Sequence, residues 1–593
     1  MFEVHGIILI GAATIALGIF GASKFSQAEK YVVSDEYVVL VDGEWVEYQF
    51  YLLASGLYEV WLTATGNDTR QAAQLSIDGG EPVLVTDERE PERALSPKER
   101  EKIIVRQLVG VVSLKKGKHF LKVQHAGEPG FSIAFGLQKV ELIRTEIATG
   151  KRLILAGSRK NPSVREEPWQ SKNFKPAPKW WRREEVYAGY YYGLSEDVLK
   201  RIKEDGFQVV VIGCDENSRG NLRRWTEFAH QLNLRLLPYV SFHTWRWRFS
   251  PEEGKESLAD EELLNSFKHA KEHKGELRWL EHWALAEHPE WMLLNSEGKP
   301  VSPFSPDYQA GSMREPCLDT PGVKEACLAL SKLLMDEGAD GLFVDNVHPS
   351  GKCHGERFGL HKHSHPEWDN ATAYKEMLRE VRELVKRYGD DKIVMLNSGG
   401  PRKFFADVGD SLMWESFLFD GGEKPRMLFQ QVLGAKKAWE PYLKAGGTIA
   451  ALSYFGGPKE LRKRNAFYAY ACAKLCGFHF SDWFTAKGSG AEVLYRVRLG
   501  KAVGDVEEID GVWLRRYENG LVAVNPDGEG QPEEVIQKLP PRTLTLTLPS
   551  SWRTAMDVYD KRIISIQKGR ITISIPAFSG RVIIRAEKGS ERK

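Results

Sequence analysis

The chain has 593 residues, of which 42% are hydrophobic and 27% charged, a composition that is ordinary for soluble globular proteins. Its length exceeds what one hydrophobic core holds, so about two to four domains are expected. The 82 basic and 81 acidic residues leave a formal net charge of +1. That balance argues against a nucleic-acid partner, which usually requires a basic excess or a basic stripe.

Residues 1–28 contain an apolar stretch, GIILIGAATIALGIFGAS, with no charge before Lys24. The length of this stretch lies between that of a signal-peptide core and that of a membrane-spanning helix. We therefore expect a signal peptide or an N-terminal membrane anchor, and with either of them a protein that is secreted or anchored at the cell surface. A buried core helix is the alternative, because no Lys or Arg precedes the stretch.

Residues 29–146 alternate apolar and polar side chains in short runs separated by turn residues, which predicts a β-sandwich. The order of the runs DGEWVEYQFYL, GLYEVWLTATG, LSIDGGEPVLV and VSLKKGKHFLKVQHAG resembles sugar-binding jelly-roll modules attached to glycosidases. The resemblance implies a carbohydrate-binding module, and an accessory sandwich without a ligand is the alternative. Residues 147–185 are rich in proline and charge without periodicity, as is typical of a linker.

Residues 186–490 alternate strand-like and helix-like segments. Runs such as QVVVIG, GLFVDN and KIVMLNS are continuously apolar, as expected for parallel strands that are covered by helices. Eight such units in about 300 residues predict a central (β/α)8 TIM barrel as the catalytic domain. A doubly wound sheet is the alternative, but no glycine-rich phosphate loop follows the first strand. Residues 505–588 return to short strands with Gly and Pro turns and predict a C-terminal all-β sandwich.

Barrel enzymes place their active sites at the C-terminal ends of the strands, so the polar residues there are the candidate site. Asp345 and Glu415 each end an apolar strand directly, where a carboxylate needs a partner or a function. Two carboxyl groups can cleave a glycosidic bond, because one stabilises the sugar carbon while the other protonates the leaving oxygen. The further candidates for substrate binding are Tyr191, Asp215, His243, Trp245, Asn346, His348, Asn397, Tyr454 and Asp482.

Seven short stretches of this region are HPEW, LNSEGKP, EPCLDTPGVKE, GADGLFVDN, MLNSGG, SLMWESF and GFHFSDW. Together they resemble the α-galactosidase-like superfamily of glycoside hydrolases. The resemblance implies a carbohydrate substrate, Asp345 as the nucleophile of a retaining double displacement, and Glu415 as the acid/base. That superfamily often has Asp in the second role, so Asp410, which precedes the strand, is a rival to Glu415.

The loop after Asp345 suggests a second kind of site, because its side chains include ligands that zinc prefers. These candidate ligands are His348, Cys353, His354, His361, His363 and His365. A metal-dependent barrel hydrolase is therefore one alternative, although the spacing favours a polar substrate loop and we expect no metal or cofactor. A surface protein that binds carbohydrate without cleaving it is the other alternative.

Overall fold

The structure is a computed structural model. It describes residues 30–34, 38–40, 45–52, 55–65, 72–78, 83–86, 104–125, 135–145, 168–171, 174–183, 186–191, 193–213, 215, 217–247, 272–303, 313–348, 352–365, 370–482 and 485–586. The chain divides into two compact units, Met1–Glu166 and Glu167–Lys593. The predicted signal peptide or anchor at residues 1–28 lies outside the described residues. Within the described part, no helix has the length and apolar character needed to cross a membrane.

The first unit contains two antiparallel sheets. Its strands are β1 (Lys30–Ser34), β2 (Val38–Leu40), β3 (Trp45–Leu52), β4 (Gly56–Thr65), β5 (Ala72–Ile77), β6 (Val83–Thr86), β7 (Ile104–Leu114), β8 (Gly117–His125) and β9 (Phe135–Thr145). One sheet has the order β1-β9-β4-β7 with β2 beside β9, and the other has the order β3-β8-β5-β6. In β8, the side chains of His119, Leu121 and Val123 are buried, whereas that of Phe120, which lies between His119 and Leu121, is exposed. This alternation is expected for a strand with one buried face. Sugar binding by this unit stays a prediction.

The second unit is built around a closed barrel of eight parallel strands. These strands are β10 (Val186–Tyr191), β11 (Val209–Ile212), β12 (Arg235–Val240), β15 (Gly341–Val344), β16 (Ile393–Asn397), β17 (Ser411–Trp414), β18 (Ile449–Ser453) and β19 (His479–Asp482). They pair in that order, and β19 pairs with β10 to close the barrel. A hairpin of β13 (Trp245–Arg246) and β14 (Met313–Arg314) lies between β12 and β15 in the chain.

The continuous apolar strands have two buried faces, which explains why they show no alternation. Along β11, Val209 and Val211 pack in the barrel interior with Phe343 and Met395, while Val210 and Ile212 belong to the larger core outside. The close pairing of β15 with β16 also explains why a glycine is present at position 341. Gly341 has a φ of 147°, and a Cβ there would lie 1.9 Å from the carbonyl oxygen of Ile393. Any larger residue would therefore push β15 away from β16.

The helices that surround the barrel are α1 (Glu196–Asp205), α2 (Leu222–Gln231), α3 (Leu280–Glu287), α4 (Pro321–Asp336), α5 (Asn370–Arg387), α6 (Phe429–Lys444) and α7 (Lys459–Cys476). The Ser195 side chain caps α1 by accepting from the N–H of Val198. The regular (β/α)8 prediction is wrong at one crossover, because residues 398–410 between β16 and β17 form only a 3-10 turn, Lys403–Phe405. The run Gly399, Gly400 and Pro401 opposes a helix there.

Part of the predicted linker belongs to the barrel unit instead. Trp181 is fully buried among the interior residues of the barrel, and its indole N–H donates to Thr448 Oγ1 at 2.9 Å. Because Thr448 directly precedes β18, Trp181 closes the N-terminal end of the barrel. Trp169 is also buried and packs against Trp439 and Tyr442. The linker prediction is therefore wrong for the described residues between 168 and 183, whose tryptophans bury large apolar surfaces.

The chain ends in an antiparallel region that packs on α7. Its elements are β20 (Glu507–Ile509), β21 (Val512–Arg516), β22 (Gly520–Asn525), α8 (Glu533–Ile536), β23 (Arg542–Thr547), β24 (Ala555–Asp557), β25 (Arg562–Ile564), β26 (Arg570–Ile575) and β27 (Ser579–Arg585). Six strands pair in the order β20-β21-β22-β27-β24-β25, and β23 pairs with β26. Tyr468 and Phe467 of α7 contact Phe578 and Tyr559 at ring-centroid distances of 4.5 and 4.8 Å. This aromatic contact joins the C-terminal strands to the barrel.

Candidate active site

Consecutive strands bring four polar residues to the C-terminal end of the barrel. Asp345 follows β15, Asn397 ends β16, Glu415 follows β17 and Tyr454 follows β18. Neighbouring parallel strands end side by side, so these residues meet although they are distant in the sequence. Asn397 is 3% exposed, whereas the other three are half-buried and reach the surface.

The amide of Asn397 joins the two carboxylates. Its Nδ2 donates to Asp345 Oδ1 at 2.6 Å and to Glu415 Oε2 at 2.8 Å. Its Oδ1 accepts from the N–H of Gly399 at 3.0 Å, which fixes the orientation of the amide. The remaining carboxylate oxygens accept from phenols, since Tyr239 donates to Asp345 Oδ2 at 2.9 Å and Tyr454 donates to Glu415 Oε1 at 2.8 Å. We call these five residues the carboxylate network.

The backbone turns sharply after each carboxylate. Asn346 and Ser416, which follow Asp345 and Glu415, both have a φ of 56°. This left-handed conformation is uncommon outside glycine, and such outliers concentrate at functional sites. Asn346 Nδ2 also lies 3.4 Å from the hydroxyl of Tyr239, which connects the turn to the carboxylate network.

The carboxylates are held by neutral donors alone. Among the described residues, neither Asp345 nor Glu415 forms an ion pair with a lysine, arginine or histidine. Desolvation, and after it the negative charge of Glu415, raises the pKa of Asp345 to about 7. Hydrogen bonds from Tyr239, from the Asn346 N–H and from Asn397 oppose this shift without cancelling it. Asp345 therefore gains or loses its proton near neutral pH.

The geometry contradicts Asp410 as a rival acid. This residue precedes β17 and therefore lies at the N-terminal end of the barrel, opposite Glu415. Its Oδ1 is 2.8 Å from Arg382 Nη2 and 3.0 Å from Lys386 Nζ, and its Oδ2 accepts from the N–H of Val394 at 2.9 Å. Fully buried and paired in this way, Asp410 anchors the start of the strand.

Two predicted substrate-binding acids serve their own turns instead. Asp482 is fully buried, and its oxygens accept from Thr485, from the N–H of Ala486 and from the hydroxyl of Tyr495. Asp215 accepts from the N–H and hydroxyl of Ser218, and also from the N–H of Gly193. Both acids lie at strand ends as predicted, but backbone N–H groups and hydroxyls of the protein donate to their oxygens.

The third strand end is packed inward. Trp245 is fully buried and its indole N–H donates to the carbonyl oxygen of Ser241 at 2.9 Å, so it offers no face to a sugar ring. His243 is also fully buried, with Nε2 at 2.7 Å from a Glu315 carboxylate oxygen. The half-buried His348 packs its ring 5.2 Å from that of His243. The side chain of Tyr191 lies outside the described part of the chain.

The sequence predicted Asn346, Asn397 and Tyr454 near the carboxylates, and the structure places them there. It did not predict Tyr239, which lies on β12 and contacts Asp345 from the neighbouring strand. A signal was available, since Tyr239 is a hydroxyl-bearing residue close to the end of the apolar run RLLPYV. Its role depends on strand pairing that a single strand does not reveal.

Three of the predicted metal ligands come together away from the carboxylate network. Cys353, His361 and His363 converge with Cys317, which precedes α4. The sequence did not predict Cys317 as a ligand, because it is far from the loop in the chain. Of the other candidates, His365 lies with Nδ1 at 3.0 Å from Asp319 Oδ1. His354, like His348, lies outside the cluster.

Solved structures of α-amylases and debranching enzymes are similar in outline. The α-amylase of Geobacillus thermoleovorans has 11% identity and a TM-score of 0.41, over 69% of this chain and 99% of the amylase chain. The debranching enzyme of Nostoc punctiforme has 12% identity and a TM-score of 0.39, over 69% of this chain and 99% of its own. At these scores neither structure bears on substrate. Among curated proteins, no relative matches the chain.

Residues 263–521 match the family model described as "Hypothetical glycosyl hydrolase family 15". The matched segment contains the whole carboxylate network except Tyr239. The comparisons do not extend to the α-galactosidase-like superfamily or to a sugar-binding module, and those resemblances stay predictions. The family match identifies the chain as a glycoside hydrolase.

Proposed function

We propose that the protein hydrolyses O-glycosidic bonds of oligo- or polysaccharides by a retaining double displacement, with Asp345 as nucleophile and Glu415 as acid/base. The shared hydrogen-bond donor Asn397 is the observation that carries the proposal. Two oxygens bound to one nitrogen at 2.6 and 2.8 Å cannot be farther apart than those two distances combined. That limit holds for the nearest oxygens of the two groups, and it favours the separation of about 5–5.5 Å of retaining enzymes over the about 6.5–9.5 Å of inverting ones.

The contacts suit these two roles. Asp345 Oδ forms a bond to the anomeric carbon while the glycosidic bond breaks. The electron pair of the glycosidic bond leaves with the oxygen that Glu415 protonates. Glu415 then takes a proton from water, whose oxygen attacks the anomeric carbon and releases Asp345. Tyr239 and Asn397 orient the nucleophile, and Tyr454 holds the acid/base from the opposite side. None of these residues belongs to the group formed by Cys317, Cys353, His361 and His363.

The raised pKa of Asp345 bears on the pH at which the nucleophile becomes ionised. Attack on the substrate requires ionised Asp345, and burial favours its protonated form until the pH approaches about 7. We therefore expect the rate to rise with pH as Asp345 loses its proton, and a pH–rate profile measures this rise.

Product analysis tests retention. The enzyme is incubated with aryl glycosides and natural oligosaccharides, and NMR identifies the anomer that is released first. We expect the anomeric configuration of the substrate. Release of the opposite anomer would show single displacement by water and overturn the double displacement.

Two substitutions test the residues. Asp345→Asn and Glu415→Gln should each remove nearly all turnover while the fold is kept. Asp420→Asn is the matched control, because Asp420 is an exposed acid on the same loop as Glu415 and pairs with Arg426 at 2.9 Å. Wild-type rates in both test variants would show that the assignment is wrong.

Azide assigns the two roles separately. With Glu415→Ala and an activated aryl glycoside, azide should attack the glycosyl-enzyme and give a glycosyl azide of retained configuration. With Asp345→Ala, azide should attack the substrate directly and give the inverted configuration. The reverse pattern would exchange the roles of Asp345 and Glu415.

A further inference from the structure

Four sulfur and nitrogen side chains meet at a second place in the barrel unit. Cys317 precedes α4, and Cys353, His361 and His363 lie on the loop after β15. One ligand atom from each lies within 4.8 Å of all the others. The two cysteines are 1% and 5% exposed, and the His363 side chain is 7% exposed. We call these residues the Cys/His cluster.

The spacing of the atoms matches a tetrahedral metal site. Cys353 Sγ lies 3.4 Å from His361 Nε2, which lies 3.2 Å from His363 Nε2. Zinc bonds of about 2.3 Å to sulfur and about 2.0–2.1 Å to nitrogen give tetrahedral edges of about 3.6 Å between S and N and about 3.3 Å between two N. The observed distances are close to these edges, with room for one ion between the atoms.

The outer contacts of the two imidazoles point their lone pairs inward. His361 Nδ1 lies 2.6 Å from the carbonyl oxygen of Glu290, and His363 Nδ1 lies 3.3 Å from a Glu356 carboxylate oxygen. An Nδ1 that donates to such an oxygen carries the proton and leaves the lone pair on Nε2. In that tautomer both Nε2 atoms face each other as acceptors, an arrangement that a cation between them would stabilise. Carbonyl and carboxylate partners of this kind orient metal-binding histidines in proteins.

The Cys353 sulfur is prepared in a similar way. Its Sγ accepts from the N–H of Gly355 at 3.3 Å and from the N–H of Leu294 at 3.5 Å. Such donors favour the thiolate, which is the form that binds metal ions.

We propose that the Cys/His cluster binds one Zn²⁺ in a closed tetrahedral site. Two thiolates and two imidazoles form one of the donor sets of structural zinc, in which protein ligands fill all four positions. The ion would fasten the loop that begins at Asp345 to the segment that leads into α4. This site shares no residue with the carboxylate network, so it does not depend on the proposed reaction.

Metal analysis of the purified full chain is the first test. The protein is expressed with zinc in the medium and purified without chelator, and its metal content is measured by inductively coupled plasma mass spectrometry. We expect one zinc per chain and its release by a strong chelator, with a fall in melting temperature that added Zn²⁺ reverses. A full chain that neither contains zinc nor binds added Zn²⁺ would overturn the proposal.

Single substitutions locate the ion. Cys317→Ser, Cys353→Ser and His361→Ala should each lose the stoichiometric zinc. Cys327→Ser and His354→Ala are the matched controls, because Cys327 is a buried thiol in α4 and His354 is a loop histidine, both outside the cluster. Zinc that persists in all three test variants would place the ion elsewhere and overturn the proposal.

Cobalt keeps the test independent of the stability of the variants. Wild-type protein from which zinc has been removed is loaded with Co²⁺, and its absorption spectrum is recorded. We expect intense visible bands of tetrahedral Co²⁺ and a thiolate charge-transfer band in the near ultraviolet. Weak octahedral bands would contradict the site, as would an intact mass two hydrogens lower, which indicates a Cys317–Cys353 disulfide.

Discussion

Two strands of the barrel carry an acidic residue at each end, and the two ends treat that residue differently. β15 lies between Asp340 and Asp345, and β17 lies between Asp410 and Glu415. At the N-terminal end the acids contact cations. Asp340 lies 3.2 Å from Lys392 Nζ and 3.5 Å from Arg235 Nη1, and Asp410 contacts Arg382 and Lys386. At the C-terminal end the contacts of the acids within the described part of the chain are with neutral amide and phenol donors.

The difference separates structural carboxylates from the proposed catalytic ones in the same barrel. Deep burial does not mark the candidate catalytic acids, because Asp340 and Asp410 are more buried than Asp345 and Glu415. A cation fixes the charge of its partner and leaves no oxygen available for substrate. Neutral donors orient a carboxylate without neutralising it, so its protonation stays responsive to its neighbour. Four substitutions would break or sharpen this comparison, and they follow from the largest expected effect to the smallest.

Glu415→Gln should have the largest effect, a fall in kcat of about 10²- to 10⁴-fold, because the leaving oxygen loses its proton donor. Steady-state kinetics measures the change on two substrates. The loss in kcat/KM, which reports the first step, should be much smaller for an aryl glycoside whose phenolate leaves without protonation. An equal loss on both substrates would assign Glu415 a role other than acid.

Asp410→Asn should destabilise the fold by about 3–5 kcal/mol, because Arg382 and Lys386 would be left with an uncompensated buried charge. Urea unfolding measures the free energy. The folded fraction of this variant should keep wild-type kcat, since Asp410 lies at the opposite end of the barrel. A stable but inactive variant would return Asp410 to the list of catalytic candidates.

Asn397→Ala should lower kcat/KM by about 10- to 100-fold, as expected when a hydrogen bond to charged groups is lost. The Asn397 bond holds down the pKa of Asp345. Removing it should therefore move the acidic limb of the pH–rate profile to higher pH. A lower kcat/KM with an unmoved limb would mean that Asn397 only positions the substrate.

Asp345→Asn should raise stability by about 1–2 kcal/mol at pH 8 and change it little at pH 4. The pKa of Asp345 is about 7 in the folded protein against a usual value of 3.8. The favourable protonated form is thus fully present below the unfolded pKa and is lost as pH rises through the folded pKa. Thermal unfolding at both pH values measures the difference, and an equal change at both would exclude a titration effect.

The sequence indicated the barrel and the two acids of the candidate site because continuous apolar runs and the residues that end them are local features. Asp345 and Glu415 are visible in GLFVDN and SLMWES without any knowledge of contacts. What escaped prediction depends on distant pairs. Tyr239 reaches Asp345 only through the pairing of β12 with β15, and Cys317 reaches Cys353 only through tertiary packing. The absence of an α-helix between β16 and β17 follows from the local run Gly399, Gly400 and Pro401, which the prediction of a regular barrel did not take into account.

The tryptophan that closes the N-terminal end of the barrel decides where a catalytic fragment can begin. Cutting at residue 186, where the first barrel strand starts, would remove Trp181 and open the interior layer of Val209, Leu237 and Met413 to water. A fragment that starts at Glu167 would retain both Trp181 and Trp169. The shorter fragment should aggregate during expression, and the longer one should be the proper starting point for crystallisation and directed evolution.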